Sequence, residues 1–266
     1  MTLGLVFIAS VYARGWLRMR STSAQTEAGW RAAGFLLGLL LIWIAVASAL
    51  ASGDTHLLTI HMVQHLLLMS IAPPLIWLGE PVRALLCGLP RRVVQSAVAP
   101  LFQLWPMQRL GTLLGHPVVC WLAATGVLVG WHVPAALALG MQSATWHAIE
   151  HASFLAGGLL FWWPVIQPWP AASNEPRWWV VLYLFLATLP CDVLSGFLVF
   201  SERVAYPVYL SMHRHSSLSV LNDQQYAGAL MWTTVTIIYV VAGMIVTTQL
   251  LSSRPLVKHL RTVEVA

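Results

Sequence analysis

Seven apolar segments, separated by shorter polar stretches that contain most of the arginines, dominate the chain. A helix needs about 20 apolar residues to cross a bilayer, and only the first segment is clearly short of that length. The pattern predicts an all-α integral membrane protein, with one transmembrane helical domain over residues 1–266 and about seven spanning helices. The predicted spans lie near residues 2–17, 31–52, 57–78, 113–133, 144–167, 178–200 and 225–250.

The composition supports a membrane protein. Hydrophobic residues make up 58% of the chain and charged residues 9%, with a mean hydropathy of +0.74. A typical soluble domain is about 25% charged. The 14 tryptophans suit the aromatic belts that form at the two membrane–water interfaces. The sequence has no internal repeat and no glycine-rich phosphate loop.

The basic residues predict the orientation of the bundle. With the N-terminus outside, twelve of the 14 Lys and Arg residues fall on the cytoplasmic side, and only Arg203 and Arg214 fall on the other. The positive-inside rule then puts the C-terminus in the cytoplasm. The net charge of +5 reflects this topology, so no nucleic-acid partner is expected. The first segment lacks the basic start of a signal peptide, which favours a helix that is retained.

Two His-x-x-x-His pairs, His61 with His65 and His147 with His151, are the main candidates for chemistry. Residues four apart on a helix lie about 40° apart on one face, so each pair can direct two imidazoles at one point. Imidazole is a favoured ligand of zinc, copper and iron. Ionisable groups within a membrane span are costly and therefore indicate function.

The predicted topology gathers other polar and sulfur groups at the same outer end. His132 ends the fourth span, and Glu150 lies between His147 and His151. Eight of the ten histidines fall at this end, including His56, His213 and His215 in connecting segments. Candidate orienting or auxiliary groups are Glu150, Asp192, Asp223 and Met231. Carboxylates orient metal-binding imidazoles, and soft sulfur ligands favour Cu(I).

Structural explanations compete with these assignments. A single buried histidine is usually structural, and methionines pack more often than they bind metals. Two paired motifs at one end of the bundle favour ligation by at least one pair. For Glu150 and Asp223, a hydrogen bond or an orienting role is favoured over direct ligation. For His213 and His215, exposure in a polar loop is an equally good explanation.

Several short motifs together resemble one family. They are His61-Met62-Val63-Gln64-His65-Leu66-Leu67-Leu68, Ala72-Pro73-Pro74-Leu75, Leu78-Gly79-Glu80-Pro81, Gly115-His116-Pro117, Trp131-His132-Val133-Pro134, His147 to Phe154, and Asp223-Gln224-Gln225-Tyr226-Ala227-Gly228 with Met231-Trp232. In this order, over roughly residues 30 to 250, they resemble the CtaG family of caa-type cytochrome c oxidase assembly factors. The short first span departs from the family's full-length first helix.

The resemblance implies a non-enzymatic role in the maturation of haem-copper oxidases, by supply of copper, with Cu(I) the expected form. It implies a bacterial inner-membrane protein whose partners are cytochrome c oxidase subunits, membrane lipid and an extracytoplasmic copper chaperone. The expected ligands are His61, His65, His147 and His151, with His132 as an auxiliary.

Two other classes remain open from the residues alone. His147-x-x-Glu150-His151 matches a zinc metalloprotease motif, which would also need a third protein ligand and an open position for water. Histidines on facing helices can instead ligate the two axial positions of a haem.

Overall fold

A computed structural model describes residues 1–22, 29–47, 57–166, 178–211 and 218–252, and within these ranges the chain is helical and contains no strand. The α-helices are α1 Thr2–Thr22, α2 Gly29–Ala47, α3 Leu58–Leu66, α4 Ala72–Leu78, α5 Pro81–Gly88, α6 Arg91–Val93, α7 Ala99–Gln103, α8 Trp105–Leu114, α9 Pro117–Trp131, α10 Pro134–Gln142, α11 Ala144–Ile166, α12 Trp178–Phe200 and α13 Val220–Ser252. Two π-helical segments, Leu67–Ile71 and Val94–Val98, and a 3₁₀ turn, Pro207–Leu210, join them.

Five of these elements are long and apolar enough to cross a membrane, or six if the bent pair α8–α9 forms one span. The five are α2, the continuous element Leu58–Leu78, α11, α12 and α13. The predicted spans 57–78, 144–167 and 178–200 agree with these elements to within about one residue. The last predicted span was too short, because α13 already begins at Val220.

The first and fourth predicted spans differ most from the structure. Helix α1 is 21 residues long, but it is absent from the five because Arg14 and Arg18 lower its mean hydropathy. The fourth span, expected at 113–133, is the helix α9, and α8 before it is bent away by 74°. Residues 48–52 of the predicted second span lie outside the described ranges.

The third spanning element changes its helical winding just after the first histidine pair. Leu67–Ile71 forms a π-helical segment, and Pro73 and Pro74 follow in the first turn of α4. Proline has no backbone N–H, so the regular ladder of hydrogen bonds is interrupted here, which explains the wider turn. The first histidine pair therefore lies on α3, immediately before an irregular segment of the same spanning element.

An aspartate of α13 holds the start of α3. Asp223 Oδ2 accepts a hydrogen bond from the Leu58 backbone N–H at 2.8 Å, and Oδ1 accepts one from the Thr59 N–H at 3.2 Å. The Thr59 hydroxyl also donates to Asp223 Oδ1 at 2.6 Å. The first N–H groups of a helix have no partners within it, so this carboxylate caps α3 from a neighbouring helix. The contact fixes the helix less than one turn before His61.

Helix α11 approaches the third spanning element very closely at Gly158. A Cβ atom there would lie 2.6 Å from the carbonyl oxygen of Met69 and 2.8 Å from Pro73 Cγ. Small residues allow this kind of close helix packing in membranes. The glycine thus brings the second histidine pair, on α11, up to the first pair on α3.

We expect Gly158→Ala to lower the free energy of unfolding by about 1–3 kcal/mol, because the added methyl group would overlap backbone atoms that cannot yield. The matched control is Gly157→Ala, whose Cβ would lie 3.6 Å from Val127, an ordinary contact. Thermal unfolding in detergent micelles measures both. Equal stability of the two variants would contradict the close packing at Gly158.

Candidate metal centre

Three buried side chains from two helices form one group of donor atoms. His61 and His65 of α3 and Glu150 of α11 offer donor atoms that all lie within 4.8 Å of one another, and the described residues contain no second such group of His, Cys, Asp and Glu. Glu150 Oε1 lies 3.2 Å from His61 Nε2 and 3.3 Å from His65 Nε2. The His61 and Glu150 side chains are fully buried. The group has the size and composition of a metal site.

The second histidine pair lies beside this group. The ring centroids of His61 and His65 are 4.2 Å apart, and those of His147 and His151 are 4.1 Å apart. Across the helix interface, the distances are 5.8 Å for His61 to His147 and 5.8 Å for His65 to His151. The two His-x-x-x-His faces thus meet, and the four imidazoles and the carboxylate form what we call the histidine cluster.

Burial is graded across the histidine cluster. His61, His65 and His151 are at most 5% exposed. His147, in the first turn of α11, is half-buried. An ion that entered from the N-terminal end of α11 would therefore meet His147 before it met the buried group of His61, His65 and Glu150.

Neighbouring side chains hold the rings in place. The Phe154 ring stacks on His65 at a centroid distance of 3.8 Å. Gln64, between the two histidines of α3, donates to the Ala45 carbonyl oxygen of α2 at 3.0 Å. Gly140 of α10 leaves room for the carboxylate, since a Cβ there would lie 2.5 Å from Glu150 Oε2. These contacts leave the donor atoms little freedom.

Several donor atoms of the cluster have unsatisfied hydrogen-bonding capacity. His65 Nε2, which lies 3.3 Å from Glu150 Oε1, and Glu150 Oε2 are buried and have no hydrogen-bond partner, and the same is true of Nδ1 in the His61 and His65 rings. Leaving a buried polar group unsatisfied costs about 1–3 kcal/mol, and more for a charged group. A bound cation would offset this cost, because it takes up imidazole and carboxylate lone pairs together.

The auxiliary groups predicted from the sequence occupy different places. His132 and Met231 line a small cavity next to His65 rather than joining the three-donor group. Asp223 caps α3, so of the two roles that the sequence favoured, a hydrogen bond or the orienting of an imidazole, the structure shows hydrogen bonds that position this helix. Asp192 is half-buried on α12 and supplies no donor atom to the group found among the described residues.

Glu150 lies against the first histidine pair. The sequence favoured a hydrogen bond or an orienting role over direct ligation, and the carboxylate lies between the two histidines of α3. The reason is that α11 packs with this face directly against α3. Glu150 is therefore positioned as a potential ligand, while metal binding by any of the five residues stays a prediction.

Some supporting residues were not predicted. Gln64 lies within the first motif, and its position between two buried histidines was an available signal. Tyr206 donates a hydrogen bond to the His132 carbonyl oxygen at 3.2 Å, and its contact could not be foreseen from sequence spacing. The same holds for Gly140. His56, His213 and His215 lie outside the described residues.

The chain is similar to proteins of three mycobacteria. It is 25% identical over 250 residues to an uncharacterized protein of Mycobacterium bovis and, equally, to one of Mycobacterium tuberculosis. Each match covers 90% of this chain and 37% of the relative. An uncharacterized protein of Mycobacterium leprae is 24% identical over 228 residues, which are 84% of this chain and 34% of that protein. The chain thus spans about a third of these relatives, and no solved structure matches it.

One protein family matches nearly the whole chain. The family described as cytochrome c oxidase caa3 assembly factor matches residues 10–253, a range that contains the whole histidine cluster and every described helix except the first part of α1. With this extent of agreement, the chain belongs to the cytochrome c oxidase caa3 assembly factor family.

Proposed function

We propose that this protein binds Cu(I) at the histidine cluster and delivers it to cytochrome c oxidase subunits during their assembly. The observation that supports this most is the meeting of two His-x-x-x-His pairs around one buried carboxylate, in a chain of this family. An extracytoplasmic copper chaperone would load the site. The protein acts as a carrier and not as an enzyme.

The charge of the buried group favours a monovalent ion. Neutral imidazoles and one carboxylate carry a single negative charge, so Cu(I) would make the group of His61, His65 and Glu150 electrically neutral. A divalent ion would leave a net positive charge in an apolar bundle, where uncompensated charge is costly. Imidazole suits copper, and nearby methionine sulfur suits its reduced form.

The geometry argues against the two other classes. A zinc protease needs water and a peptide at its metal, but His61 and Glu150 are fully buried. Glu150 also contacts the α3 histidines. A metal bound there would take the carboxylate as a ligand, so the carboxylate would not be free to take part in peptide cleavage. A haem would need a wide slot between axial histidines, and the cavity beside the cluster has a volume of only about 30 Å³, enough for about one water molecule.

We propose seven spans in the bacterial inner membrane, with α1 as the first, the N-terminus outside and the C-terminus in the cytoplasm. With this orientation, twelve of the 14 Lys and Arg residues fall on the cytoplasmic side and two on the outer side, as the positive-inside rule requires. We expect a cysteine introduced as Lys258→Cys to resist a membrane-impermeant thiol reagent in intact cells and to react after lysis. Labelling of this cysteine in intact cells would contradict the orientation and would place the histidine cluster on the cytoplasmic side.

We expect the purified protein to bind Cu(I) under anaerobic conditions, with a chromophoric chelator as competitor. His61→Ala with His65→Ala should abolish tight binding at the histidine cluster, and so should His147→Ala with His151→Ala, because each pair supplies two converging nitrogens to it. The matched control is His116→Ala, since His116 is exposed at the start of α9, at the opposite end of that helix from His132. Wild-type affinity in both double variants would remove the ligand assignment.

In the same titration, Glu150→Gln should weaken Cu(I) binding by roughly 10- to 100-fold, because the neutralising charge is lost while the imidazoles remain. The control carboxylate is Glu202, exposed in the connection after α12, and Glu202→Gln should leave the affinity unchanged. Metal-dependent peptide cleavage that disappears in Glu150→Gln, with zinc still bound, would instead favour the protease.

In cells, we expect deletion of the gene to lower the activity and copper content of haem-copper cytochrome c oxidase. Added copper should restore part of the activity, because mass action can replace a carrier. His61→Ala with His65→Ala should reproduce the deletion, whereas His116→Ala should not. A fully active, copper-replete oxidase in the double variant would show that the histidines serve structure and would end the delivery hypothesis.

A further inference from the structure

A small cavity adjoins the histidine cluster and carries donor atoms that the cluster does not use. Its volume is about 30 Å³, which is enough for about one water molecule or a single ion. His65 lines this cavity as well as belonging to the cluster, so the two share one imidazole. The cavity is also lined by His132 and by four sulfur-containing residues, Met62, Met69, Cys191 and Met231.

His132 presents an unused nitrogen at this place. Its Nδ1 lies 2.7 Å from the Leu128 carbonyl oxygen. A carbonyl oxygen only accepts hydrogen bonds, so Nδ1 carries the proton and Nε2 of the neutral ring carries a lone pair. His132 is 7% exposed, and Nε2 is buried without a hydrogen-bond partner. His132 is one of the residues that line the cavity, and a metal ion or a water molecule there would satisfy a buried lone pair that meets no donor.

Sulfur distinguishes this cavity from the cluster. Met62, Met231 and Cys191 are at most 2% exposed, and Met69 is 8% exposed. Methionine commonly fills irregular gaps in a core, which would explain one such residue. Three thioethers and a thiol with two imidazoles around an open volume form a soft donor set instead, and such sets select Cu(I).

We propose that this cavity is a second Cu(I) site, in which His132 Nε2 and Met231 sulfur are the principal ligands and Cys191 and the other methionines complete the soft surroundings. His65, common to both sites, passes the ion between the cavity and the histidine cluster by exchange of one ligand at a time. The inference rests on the proposed copper-binding function and adds a second binding site, which contains sulfur ligands.

Two substitutions remove the principal ligands with little change in shape. His132→Asn keeps an N–H that can donate to the Leu128 carbonyl oxygen but removes the Nε2 lone pair. Met231→Leu removes sulfur at nearly constant volume, a change that cores tolerate well. The control is Met19→Leu, a similarly buried methionine of α1 that does not line the cavity.

The test uses the full-length protein in detergent micelles, titrated with Cu(I) without oxygen, together with X-ray absorption at the bound copper. Wild type and Met19→Leu should bind two equivalents with both nitrogen and sulfur neighbours. His132→Asn with Met231→Leu should bind one equivalent with no sulfur neighbour. His61→Ala with His147→Ala should keep the sulfur-bound copper, because both principal ligands of the cavity remain.

The outcomes separate the two ideas. One equivalent in wild type with only nitrogen or oxygen neighbours would overturn the second site and leave the proposed function intact, with water as the occupant of the cavity. Sulfur neighbours that persist in His132→Asn with Met231→Leu would also overturn the assignment. No tight copper binding in wild type would overturn the second site and the proposed function together.

Discussion

A carboxylate inside an apolar helix bundle must find partners, and Glu150 finds them on another helix. Its Oε1 contacts His61 and His65 at 3.2 and 3.3 Å, so the interaction joins α11 to α3 and not merely one residue to its neighbour. A charged group in this setting is costly unless it is compensated. The spacing and rotation of the two helices therefore depend on this contact, and so does the meeting of the two histidine pairs.

The surrounding structure serves that contact. Asp223 caps the start of α3 from α13, and Gly158 lets α11 approach within backbone contact of the third spanning element. Gly140 leaves space for the second carboxylate oxygen. Asp223 and Gly140 lie on other helices than the histidines, and Gly158 lies two turns after His151 on the same face of α11. None of the three is itself a candidate donor in the cluster. Their positions explain how packing between helices holds the donor atoms in place.

The sequence allowed the local features of this arrangement to be predicted, because they depend on helical periodicity. Spacing of four residues put His61 with His65 and His147 with His151, and long apolar runs located three spans to within about one residue. The contact of Glu150 with the other helix could not be predicted, since it depends on how α11 is rotated against α3. The reach of Asp223 to Leu58 and Thr59 is likewise a product of packing.

Other misses have physical causes of the same kind. The 74° bend between α8 and α9 and the helical but arginine-bearing α1 show that composition alone does not define where a span begins. Met231 and Asp223 were grouped by their depth in the membrane, although they face different neighbours. Depth follows from the sequence, whereas the direction of a side chain across a helix interface requires the folded structure.

The π-helical segment Leu67–Ile71 sets the phase of the spanning element in which it lies. Such a turn accommodates one residue more than an α-helical turn, and one residue corresponds to about 100° of rotation in an α-helix. The half that carries the histidines is therefore out of phase with the half that begins at Ala72 and packs on α2 and α11. If the same residues were wound as a regular α-helix, with none removed, the imidazoles would turn toward the wrong neighbours. The winding of this short segment is therefore as strongly constrained as the identity of the ligands.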